Sequence, residues 1–566
     1  MMISLLFALL FVISESSSAA SSSASSSSSL AVDVLIYGGN AAGIAAGIAA
    51  ANGVGSRHVV HIFEPLGMLG GMAVAGGVGL MNNQDGVYGQ GIGGRWCALN
   101  GAAYNSKSPN CFPEMKVGQK SFETMIDATS NLTLSLGCHM ISVTTNSACL
   151  SSVTFMCANG TVTVSAAVFI DASYDGDIMV AAGVSHTSGR EASSEYNESL
   201  AGVNLLNETN ENFEHLDIDP YWPDGTLLKG ISNEALPPVG TADDRLMAFS
   251  FFFCASPLAD GNAIPWPMPT GYNASDFELL RRVIEKYKEQ GHVFELSDFS
   301  ESATYSTPAN ITKLLLCCGR APVNMDQPDL NRGWATATYE ERRVMEEAHR
   351  YYLLGSLYFM SNDPRVSNFT RYAIGRWGLC ADEYVGFDNL PPQIYVRISN
   401  RMQSDTFLTQ NTLWNPQTRA DGIAVGHWEY DQHTESRRAI IDPLNATRSI
   451  VINEGYFRAG GSNWYDLPFS VMCPKRGEVN NLLVPVAISV SSVAYASARI
   501  EQMYLDAGAA AGVAAALALE GNGGGGGGQR ADVVCPALAI MMQDTNVTAV
   551  QNALVHLYGQ RIHGPP

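Results

Sequence analysis

The stretch VDVLIYGGNAAGIAAGIAAANG, residues 32–53, decides how this chain begins to fold. Its opening VDVLIY is a short, mostly apolar run that ends at glycine, which predicts a buried strand of a parallel sheet. Residues 41–51 carry small side chains on every face, which predicts a closely packed helix. A second strand is predicted over residues 57–65, RHVVHIFEP, so the three elements form a β-α-β unit within about 35 residues.

A glycine motif joins the first strand to the helix. A dinucleotide-binding fingerprint has glycine at its first, third and sixth positions, which here are Gly38, Asn40 and Gly43. The first glycine makes the tight turn, the second lets a pyrophosphate approach the backbone, and the third lets helix and strand pack closely. Asn40 must take the second role, since asparagine tolerates the left-handed backbone and its amide could donate to phosphate. The alternative is an alanine-rich helix that only follows a buried strand.

Glu64 favours the cofactor interpretation of this motif. A dinucleotide site needs an acidic residue at the end of the second strand, about 20 residues on, to accept hydrogen bonds from the ribose hydroxyls. Glu64 lies 21 residues after Gly43 and ends the second predicted strand. A structural β-α-β unit with an exposed glutamate is the competing interpretation.

A second glycine-rich patch follows at once. Residues 64–79, EPLGMLGGMAVAGGVG, contain six glycines, so the backbone can pass close to something large and flat. A nicotinamide site does not need this patch, whereas a flavin does, because its ring extends past the pyrophosphate. Apolar side chains such as Met68, Leu69 and Met72 argue against an exposed loop.

Composition limits the class of protein and its partners. The chain has 566 residues, of which 46% are hydrophobic and 15% charged, and its formal net charge is −21. The length predicts two to four folded units. Because an acidic surface repels phosphate backbones, we expect no nucleic-acid partner.

The N-terminus predicts a cleaved leader. An apolar run over residues 3–13 precedes the small residues Ser18, Ala19 and Ala20, which is typical of a signal peptide over residues 1–20. A membrane anchor is the alternative, but the run is too short to span a bilayer. Residues 21–30 are almost all serine and alanine, which predicts a flexible linker. We therefore expect secretion or residence in the secretory-pathway lumen, with no integral membrane segment after cleavage.

Glycosylation motifs and cysteines point to the same compartment. Eleven cysteines fit an oxidising environment, and N-linked glycans are expected at surface sequons. Cys317 and Cys318 are adjacent: they form either a redox-active pair or two ordinary buried or separately paired cysteines. No spacing typical of a metal site occurs. The nine Asn-x-Ser/Thr sequons begin at Asn131, Asn159, Asn197, Asn207, Asn273, Asn310, Asn368, Asn445 and Asn546.

Six sequence blocks carry a resemblance to a known family. The chain resembles FAD-dependent oxidoreductases with a glutathione-reductase-like FAD fold, in the xanthan-lyase-like group, over roughly residues 31–520. The blocks are YGGNAAGIAAGIAA, EPLGMLGGM, FIDASYDGDIMVAAGV, DDRLMAFSFFFC, DEYVGFDNLPPQIYVR and NLLVPVAISVSSVAYASARIEQMYLDAGAAAGVAAALA. A small polar residue is frequent in this group at the middle position of the glycine motif, so Asn40 is compatible with bound FAD.

The resemblance implies the fold and the domain order. It implies an α/β protein in which a Rossmann-like FAD-binding domain, three-layered around a parallel sheet, carries an inserted α+β substrate or cap domain. The expected segments are the FAD-binding domain over 31–189 and 466–520, the inserted domain over 190–465, a glycine-rich loop over 521–530 and a C-terminal helix over 531–566.

The resemblance also implies which residues hold FAD. Residues of the glycine motif would bind the pyrophosphate and Glu64 the ribose, while the helix after Ser491 would point its N-terminus at the pyrimidine end of the flavin. The implied set is Gly38, Gly39, Asn40, Ala41, Ala42, Gly43, Glu64, Gly70, Gly71, Met72, Asp171, Ala172, Gly176, Asp177 and Ser491.

Candidate catalytic residues come from two later segments. GHWEYDQHTESRR, residues 426–438, is similar to the family's Y-x-D-x-H segment, which favours Asp431 and His433 as the proton-handling pair. Arg397 and Arg499 could clamp a substrate carboxylate. The competing interpretation is a surface loop, with the two arginines paired structurally to Glu383 and Glu501.

Two departures leave the reaction open. Ser470 and Ser492 stand where the family often has an arginine and a histidine. The chain is therefore expected to be a secreted FAD-dependent oxidoreductase acting by hydride transfer on a small polar or sugar-like substrate. The alternative is an FAD-containing protein of the same fold with a non-redox role on carbohydrate, lyase-like or binding.

Overall fold

The computed structural model describes most of the chain. It covers residues 27–53, 58–80, 90–206, 212–213, 216–305, 307, 311–460, 463–521 and 541–564. The expected signal peptide, Asn207, Asn310 and nearly all of the glycine-rich loop lie outside these residues.

The first region is built on a seven-stranded sheet with strand order β3-β2-β1-β6-β5-β4, in which β20 also pairs with β6. Strands β1, β2, β3, β6 and β20 run parallel, and β4 and β5 add an antiparallel extension. Its strands are β1 (Ser27–Tyr37), β2 (Val60–Glu64), β3 (Leu132–Leu136), β4 (His139–Asn146), β5 (Cys149–Cys157), β6 (Gly160–Asp171) and β20 (Leu482–Leu483).

The first strand begins earlier than the sequence predicts. Ser27 and Leu30 pair with Thr161 and Val164 of β6, so residues 27–30 belong to the sheet and the flexible-linker prediction is wrong for them. The reason is that backbone hydrogen bonds to a neighbouring strand do not depend on the side chains, and serine can occupy a strand position whose side chain is exposed.

Alternate residues of the parallel strands face two different layers. Val34 and Ile36 point into the core formed with the helices, whereas Leu35 and Tyr37 pack with Phe155 of the antiparallel extension. This period of two follows from the pleat of a strand. The predicted three-layer α/β architecture around a parallel sheet is therefore confirmed.

Helices α1 (Ala41–Ala51) and α12 (Glu501–Gly521) cross at close range on one face of the sheet. A Cβ added to Gly508 would lie 2.1 Å from the carbonyl oxygen of Ala42, and one added to Gly512 would lie 2.2 Å from that of Ala46. Glycine is required at both positions because the two backbones touch. By length and composition α12 could cross a membrane, but 89% of its most apolar stretch is buried in the fold.

The region between residues 190 and 465 contains a second sheet and most of the amphipathic helices. The sheet has strand order β10-β11-β8-β12-β9, and helix α8 begins at a capping box in which Thr338 and Glu341 cap each other's backbone. Strands β14 and β19 pair with each other, and β14 packs against α12. An α+β composition thus follows the first region, while its boundaries at 190 and 465 stay a prediction.

The remaining elements complete the chain. The strands are β7 (His186–Thr187), β8 (Phe253–Pro257), β9 (Ala263–Pro265), β10 (Glu301–Thr304), β11 (Leu314–Cys317), β12 (Trp377–Cys380), β13 (Arg401–Met402), β14 (Gly422–Gly426), β15 (Tyr430–Gln432), β16 (Ser436–Asp442), β17 (Asn445–Glu454), β18 (Phe457–Ala459) and β19 (Tyr465–Pro468). The helices are α2 (Gly71–Val74), α3 (Gly91–Ala103), α4 (Met115–Asp127), α5 (Asp177–Ala181), α6 (Glu278–Glu289), α7 (Leu296–Phe299), α8 (Tyr339–Asn362), α9 (Asn368–Gly375), α10 (Gln410–Trp414), α11 (Ser492–Ala498) and α13 (Val547–Ala553).

The helix in the C-terminal segment is shorter than the sequence predicts. Helix α13 is capped by the side chain of Asn546, continues as a π-helical turn (Leu554–Tyr558), and ends at Gly559 with φ +65°. A single helix over 531–566 is therefore wrong for the described part, because Gly559 takes the left-handed conformation that terminates helices.

Three disulfides are formed among the described residues. They join Cys97 to Cys111, Cys138 to Cys157, and Cys254 to Cys380, and the last links two strands of the second sheet. Cys317, Cys318 and Cys473 are free thiols.

Candidate functional site

The first and third glycines of the motif have the conformations that a nucleotide site requires. Gly38 has φ +104°, and a Cβ there would lie 2.9 Å from the carbonyl of Ala172. A Cβ on Gly43 would lie 1.8 Å from the oxygen of Gly38. The loop is thus a cradle that side chains would fill, next to the N–H groups of Ala41 and Ala42 in the first turn of α1, and helix N-termini of this kind hold phosphate.

Asn40 is not left-handed. Its φ is −80° and its ψ −175°, and it is the N-cap of α1, with its side-chain oxygen accepting from the N–H of Gly43 at 3.1 Å. Its amide donates to the oxygen of Ala172 at 2.5 Å, and the expectation of a left-handed backbone at Asn40 is wrong. The physical reason is that an N-cap residue adopts extended backbone to aim its oxygen at the first turn.

Glu64 lies directly beneath this loop. Its carboxylate accepts from the N–H of Gly39 at 2.5 Å and from that of Leu66 at 2.8 Å, and the side chain is almost fully buried. Burial raises the pKa of Glu64 to about 7. Glu64 is therefore buried and not the exposed glutamate of the competing interpretation, while its contact with a ribose stays a prediction.

The second glycine patch packs against the first. Gly70 donates its N–H to the oxygen of Gly39 at 2.7 Å, and a Cβ on Gly71 would lie 2.3 Å from that of Asn40. The N–H of Met72 donates to the hydroxyl of Tyr174 at 2.8 Å. These contacts bring the patch to the nucleotide loop, as the family resemblance implies.

The block around Asp171 supports the loop from below. Asp171 accepts from the hydroxyl of Ser173 at 2.6 Å, which stabilises the turn after β6. Gly176 takes φ +66° as the N-cap of α5, and Asp177 accepts from Arg342 at 2.8 Å. Of the four implied residues, Ala172 contacts the nucleotide loop directly, while both aspartates have protein partners.

The helix that reaches the site is α12 rather than α11. Ser491 is the N-cap of α11, and its hydroxyl donates to Glu198 at 2.6 Å. The sequence did not show that Arg499 and Ile500 separate two helices. The N-terminus nearest the glycine patch belongs to α12 and begins at Glu501.

A crevice lies between the glycine patch and the start of α12. It has a cavity volume of about 10 Å³, which is room for about one water molecule. Two lining residues each have a buried polar atom with no hydrogen-bond partner among the described residues, Glu501 at Oε2 and Arg499 at Nε. Burial raises the pKa of Glu501 to about 8, and Tyr174 donates to its other oxygen at 2.9 Å. The lining residues are Met72, Val78, Gly79, Leu80, Tyr395, Arg499, Ile500 and Glu501.

Behind this crevice, the four predicted catalytic residues converge on one buried cluster. His433 contacts Asp326 through Nδ1 at 2.7 Å, and Asp431 lies 3.6 Å from its Nε2. Arg397 pairs with the other oxygen of Asp326 at 2.9 Å. Arg499 donates to the backbone oxygen of Asp431 at 2.7 Å and to the hydroxyl of Tyr395 at 2.6 Å.

Charges in the cluster shift one another's protonation. Although burial opposes it, Arg397 and His433 hold the pKa of Asp326 below its usual range. Burial and Arg397 lower the pKa of His433, but Asp326 and Asp431 outweigh them and raise it. The arrangement therefore favours a cationic imidazole between two carboxylates.

Sequence reasoning missed two members of the cluster. Asp326 lies 107 residues before His433, and Arg458 donates to Asp431 at 3.1 Å across the β15–β18 pair. The suggested structural pairings are wrong: Arg397 pairs with Asp326 instead of Glu383. Arg499 bonds to Asp431 instead of Glu501. No local spacing predicts these partners, because they come from separate loops.

The two serines that depart from the family pattern have ordinary structural partners. Ser470 donates to Asp421 at 2.7 Å, and the N–H of Ser492 donates to Glu191 at 2.9 Å.

In the described part of the chain, one trio of carboxylates has ligand-like geometry: Glu114, Asp382 and Glu383. These three carboxylates surround Lys313, whose ammonium lies 2.5 to 2.8 Å from them. The ammonium therefore supplies the positive charge that a metal ion would otherwise bring to the carboxylates.

The comparison with protein families identifies this arrangement. A family model described as FAD dependent oxidoreductase matches residues 33–523. The chain belongs to the FAD-dependent oxidoreductase family. Its cofactor is FAD, and the glycine cradle before the N-terminus of α1 fits the pyrophosphate of that group.

Solved structures of other proteins match shorter parts of this oxidoreductase, and no curated protein matches it. L-proline dehydrogenase from P. horikoshii is 16% identical over 31% of this chain and 27% of its own, with a TM-score of 0.18. OxyS anhydrotetracycline hydroxylase from Streptomyces rimosus is 11% identical over 52% and 47%, with a TM-score of 0.25. Glycerol-3-phosphate dehydrogenase from Bacillus halodurans, complexed with FAD, is 10% identical over 30% and 42%, with a TM-score of 0.21. The matches span less than half of these chains and say nothing about the substrate.

Proposed function

We propose that this oxidoreductase transfers a hydride between FAD and a small polar or sugar-like substrate that is held by residues lining the crevice between Met72 and Arg499. One observation carries the proposal: the crevice joins the glycine patch to the start of α12 and to the buried charge cluster. FAD, when bound, would supply the two-electron chemistry, and this chain would supply the side chains that bind the substrate and move its proton.

Arg499 and Glu501 would act on the substrate side. The unpartnered Nε of Arg499 offers a donor for a hydroxyl, carbonyl or carboxylate oxygen. Glu501, whose raised pKa keeps it protonated at neutral pH, can give or take the proton that accompanies electron transfer. The cluster of Asp431, His433 and Arg397 orients Arg499 and Tyr395 from behind.

The aromatic lining of a second crevice favours a sugar-like substrate. This crevice has a cavity volume of about 10 Å³ and begins beside the cluster, since Tyr430 precedes Asp431 and Ser497 lies in α11. Aromatic side chains pack on the apolar faces of sugar rings, while neighbouring polar groups bind the hydroxyls. The lining residues are Leu413, Trp414, Trp428, Tyr430, Gly460, Asn463, Tyr465 and Ser497.

We further propose that the protein is a secretory-pathway glycoprotein. The seven sequon asparagines among the described residues are all exposed: Asn131, Asn159, Asn197, Asn273, Asn368, Asn445 and Asn546. The asparagines buried in the fold all lie outside sequons: Asn40, Asn100, Asn204, Asn324, Asn331, Asn400, Asn453 and Asn481. Exposed acceptors and three disulfides are what an oxidising, glycosylating compartment requires.

The test begins with the protein secreted from a eukaryotic host. Its visible spectrum is recorded before and after acid precipitation, which separates free from covalently held FAD. Sugars, hydroxy acids and amines are then screened anaerobically for bleaching of the flavin. Bleaching by one class supports the proposal and names the substrate. Flavin that no class bleaches, in a protein that binds sugars, would favour the non-redox role on carbohydrate.

A second experiment tests glycosylation: an unchanged mass after treatment with peptide N-glycosidase F would contradict it.

A further inference from the structure

The adjacent cysteines Cys317 and Cys318 lie at the edge of the buried charge cluster. Cys317 is the last residue of β11, and Cys318 follows with φ +48°, a left-handed conformation that few residues other than glycine adopt. Residues held in this region concentrate at functional sites. The loop that they open carries Asp326, so the strained cysteine begins the segment that builds the site.

The two thiols are unusual within this chain. Seven described cysteines are disulfide-bonded, Cys149 among them, and disulfides of this number fit an environment that oxidises thiols. Cys317 and Cys318 stay free although they are neighbours in sequence and hydrogen-bonded to each other. Cys473, the third free thiol, is buried elsewhere and donates to the oxygen of Phe469.

The surroundings of Cys318 connect it to the proposed active site. One nitrogen of Arg397 lies 3.9 Å from the Cys318 sulfur and 2.9 Å from Asp326. The hydrogen bond to Cys317 and, to a smaller extent, burial raise the pKa of the Cys318 thiol. The positive charges of His433 and Arg397 act in the opposite direction and lower it. The pair is thus held as two thiols beside cationic groups that would stabilise a developing thiolate.

The segment that follows β10, the strand next to β11, contacts the wall of the crevice. Tyr305, which follows β10, donates its hydroxyl to the oxygen of Gly77 at 2.9 Å. Gly77 immediately precedes Val78, one of the residues that line the crevice. Strand β11, which ends in Cys317, is thus connected through its neighbour β10 to the wall of the crevice.

We propose that Cys317 and Cys318 form a dithiol–disulfide couple that exchanges two electrons with FAD in this site. Oxidation forms one S–S bond and breaks two S–H bonds. The two electrons reduce the bound FAD, one proton goes to the reduced ring and the other leaves through the partly exposed side of Cys318. The couple rests on the proposed function, since FAD is its oxidant.

A reductive titration tests the couple in the intact holoenzyme. Protein purified in air, with its flavin oxidised, is titrated anaerobically with dithionite while flavin absorbance is followed. We expect the wild type to consume twice as many electrons per FAD as the Cys317→Ser/Cys318→Ser variant. Cys473→Ser is the matched control and should behave as the wild type. Equal consumption by the wild type and the double variant would overturn the couple.

Peptide mass spectrometry judges the couple independently of the flavin. Trypsin releases both thiols in one peptide, LLLCCGR, residues 314–320. If the couple exists, this peptide from air-purified protein resists iodoacetamide, is lighter by two hydrogens, and becomes labelled after reduction. Immediate labelling without reduction would overturn it. A colourless preparation would contradict the proposed function. In that case the flavin-free protein is treated with hydrogen peroxide, and the mass of the same peptide shows whether the disulfide forms.

Discussion

Replacing Gly508 by alanine should weaken FAD binding through a helix contact. The added Cβ would lie 2.1 Å from the oxygen of Ala42, whereas ordinary contact begins at 3.4 Å, so α1 must retreat by about 1.3 Å. Overpacking of this kind costs about 1–3 kcal/mol of folding free energy. Ala42 belongs to the first turn of α1, so the same movement displaces N–H groups from the pyrophosphate.

The effect on affinity can be estimated from those N–H groups. A hydrogen bond to a charged group contributes about 1.5–3 kcal/mol. Loss of one such bond therefore raises the dissociation constant of FAD about tenfold to a hundredfold, since about 1.4 kcal/mol corresponds to a factor of ten. The assay titrates apoprotein with FAD and follows quenching of flavin fluorescence, and the melting temperature of the apoprotein is measured in parallel.

Gly512→Ala is the matched control. Its Cβ would meet the oxygen of Ala46 at 2.2 Å, a nearly identical clash one turn farther from the loop. We expect both variants to melt at lower temperature than the wild type, but Gly508→Ala to lose far more FAD affinity. Wild-type affinity in a destabilised Gly508→Ala protein would refute the placement of the pyrophosphate at α1.

Three further predictions follow from the site and its buried acids. Glu64→Ala should weaken FAD retention by about tenfold or more while leaving secretion intact, since the carboxylate serves the ribose; unchanged flavin occupancy would reject that role. His433→Ala should slow flavin reduction by substrate about a hundredfold without releasing FAD, because Arg499 and Tyr395 lose the cluster that orients them, and release of the flavin would show a structural role. Burial raises the pKa of Asp171 and Asp506 to about 7, so the folded apoprotein holds protons that the unfolded chain releases above about pH 4. Its stability should therefore fall between pH 5 and pH 8, and Asp506→Asn should reduce that fall; a melting temperature that rises with pH would contradict the sign.

The first region could be predicted from sequence because its signals are local. The glycine motif, the small residues of α1 and the acid at the end of β2 lie within one β-α-β unit, where each residue's neighbours in space are also its neighbours in sequence. Helix α1 accordingly has the predicted bounds, 41–51, and Glu64 ends β2 as expected. The family resemblance added the flavin and the order of the domains.

Only the tertiary structure decided the roles of the polar side chains. Asn40 is extended because its side chain makes two hydrogen bonds. Its amide donates to the oxygen of Ala172, 132 residues away, and its oxygen accepts from the first turn of α1. Asp326 joins His433 across 107 residues, and Tyr174 meets Glu501 across 327. Sequence spacing sets backbone geometry over a few residues, but the partner of a buried charge depends on which distant loops the fold brings together, and burial then requires that the charge be paired.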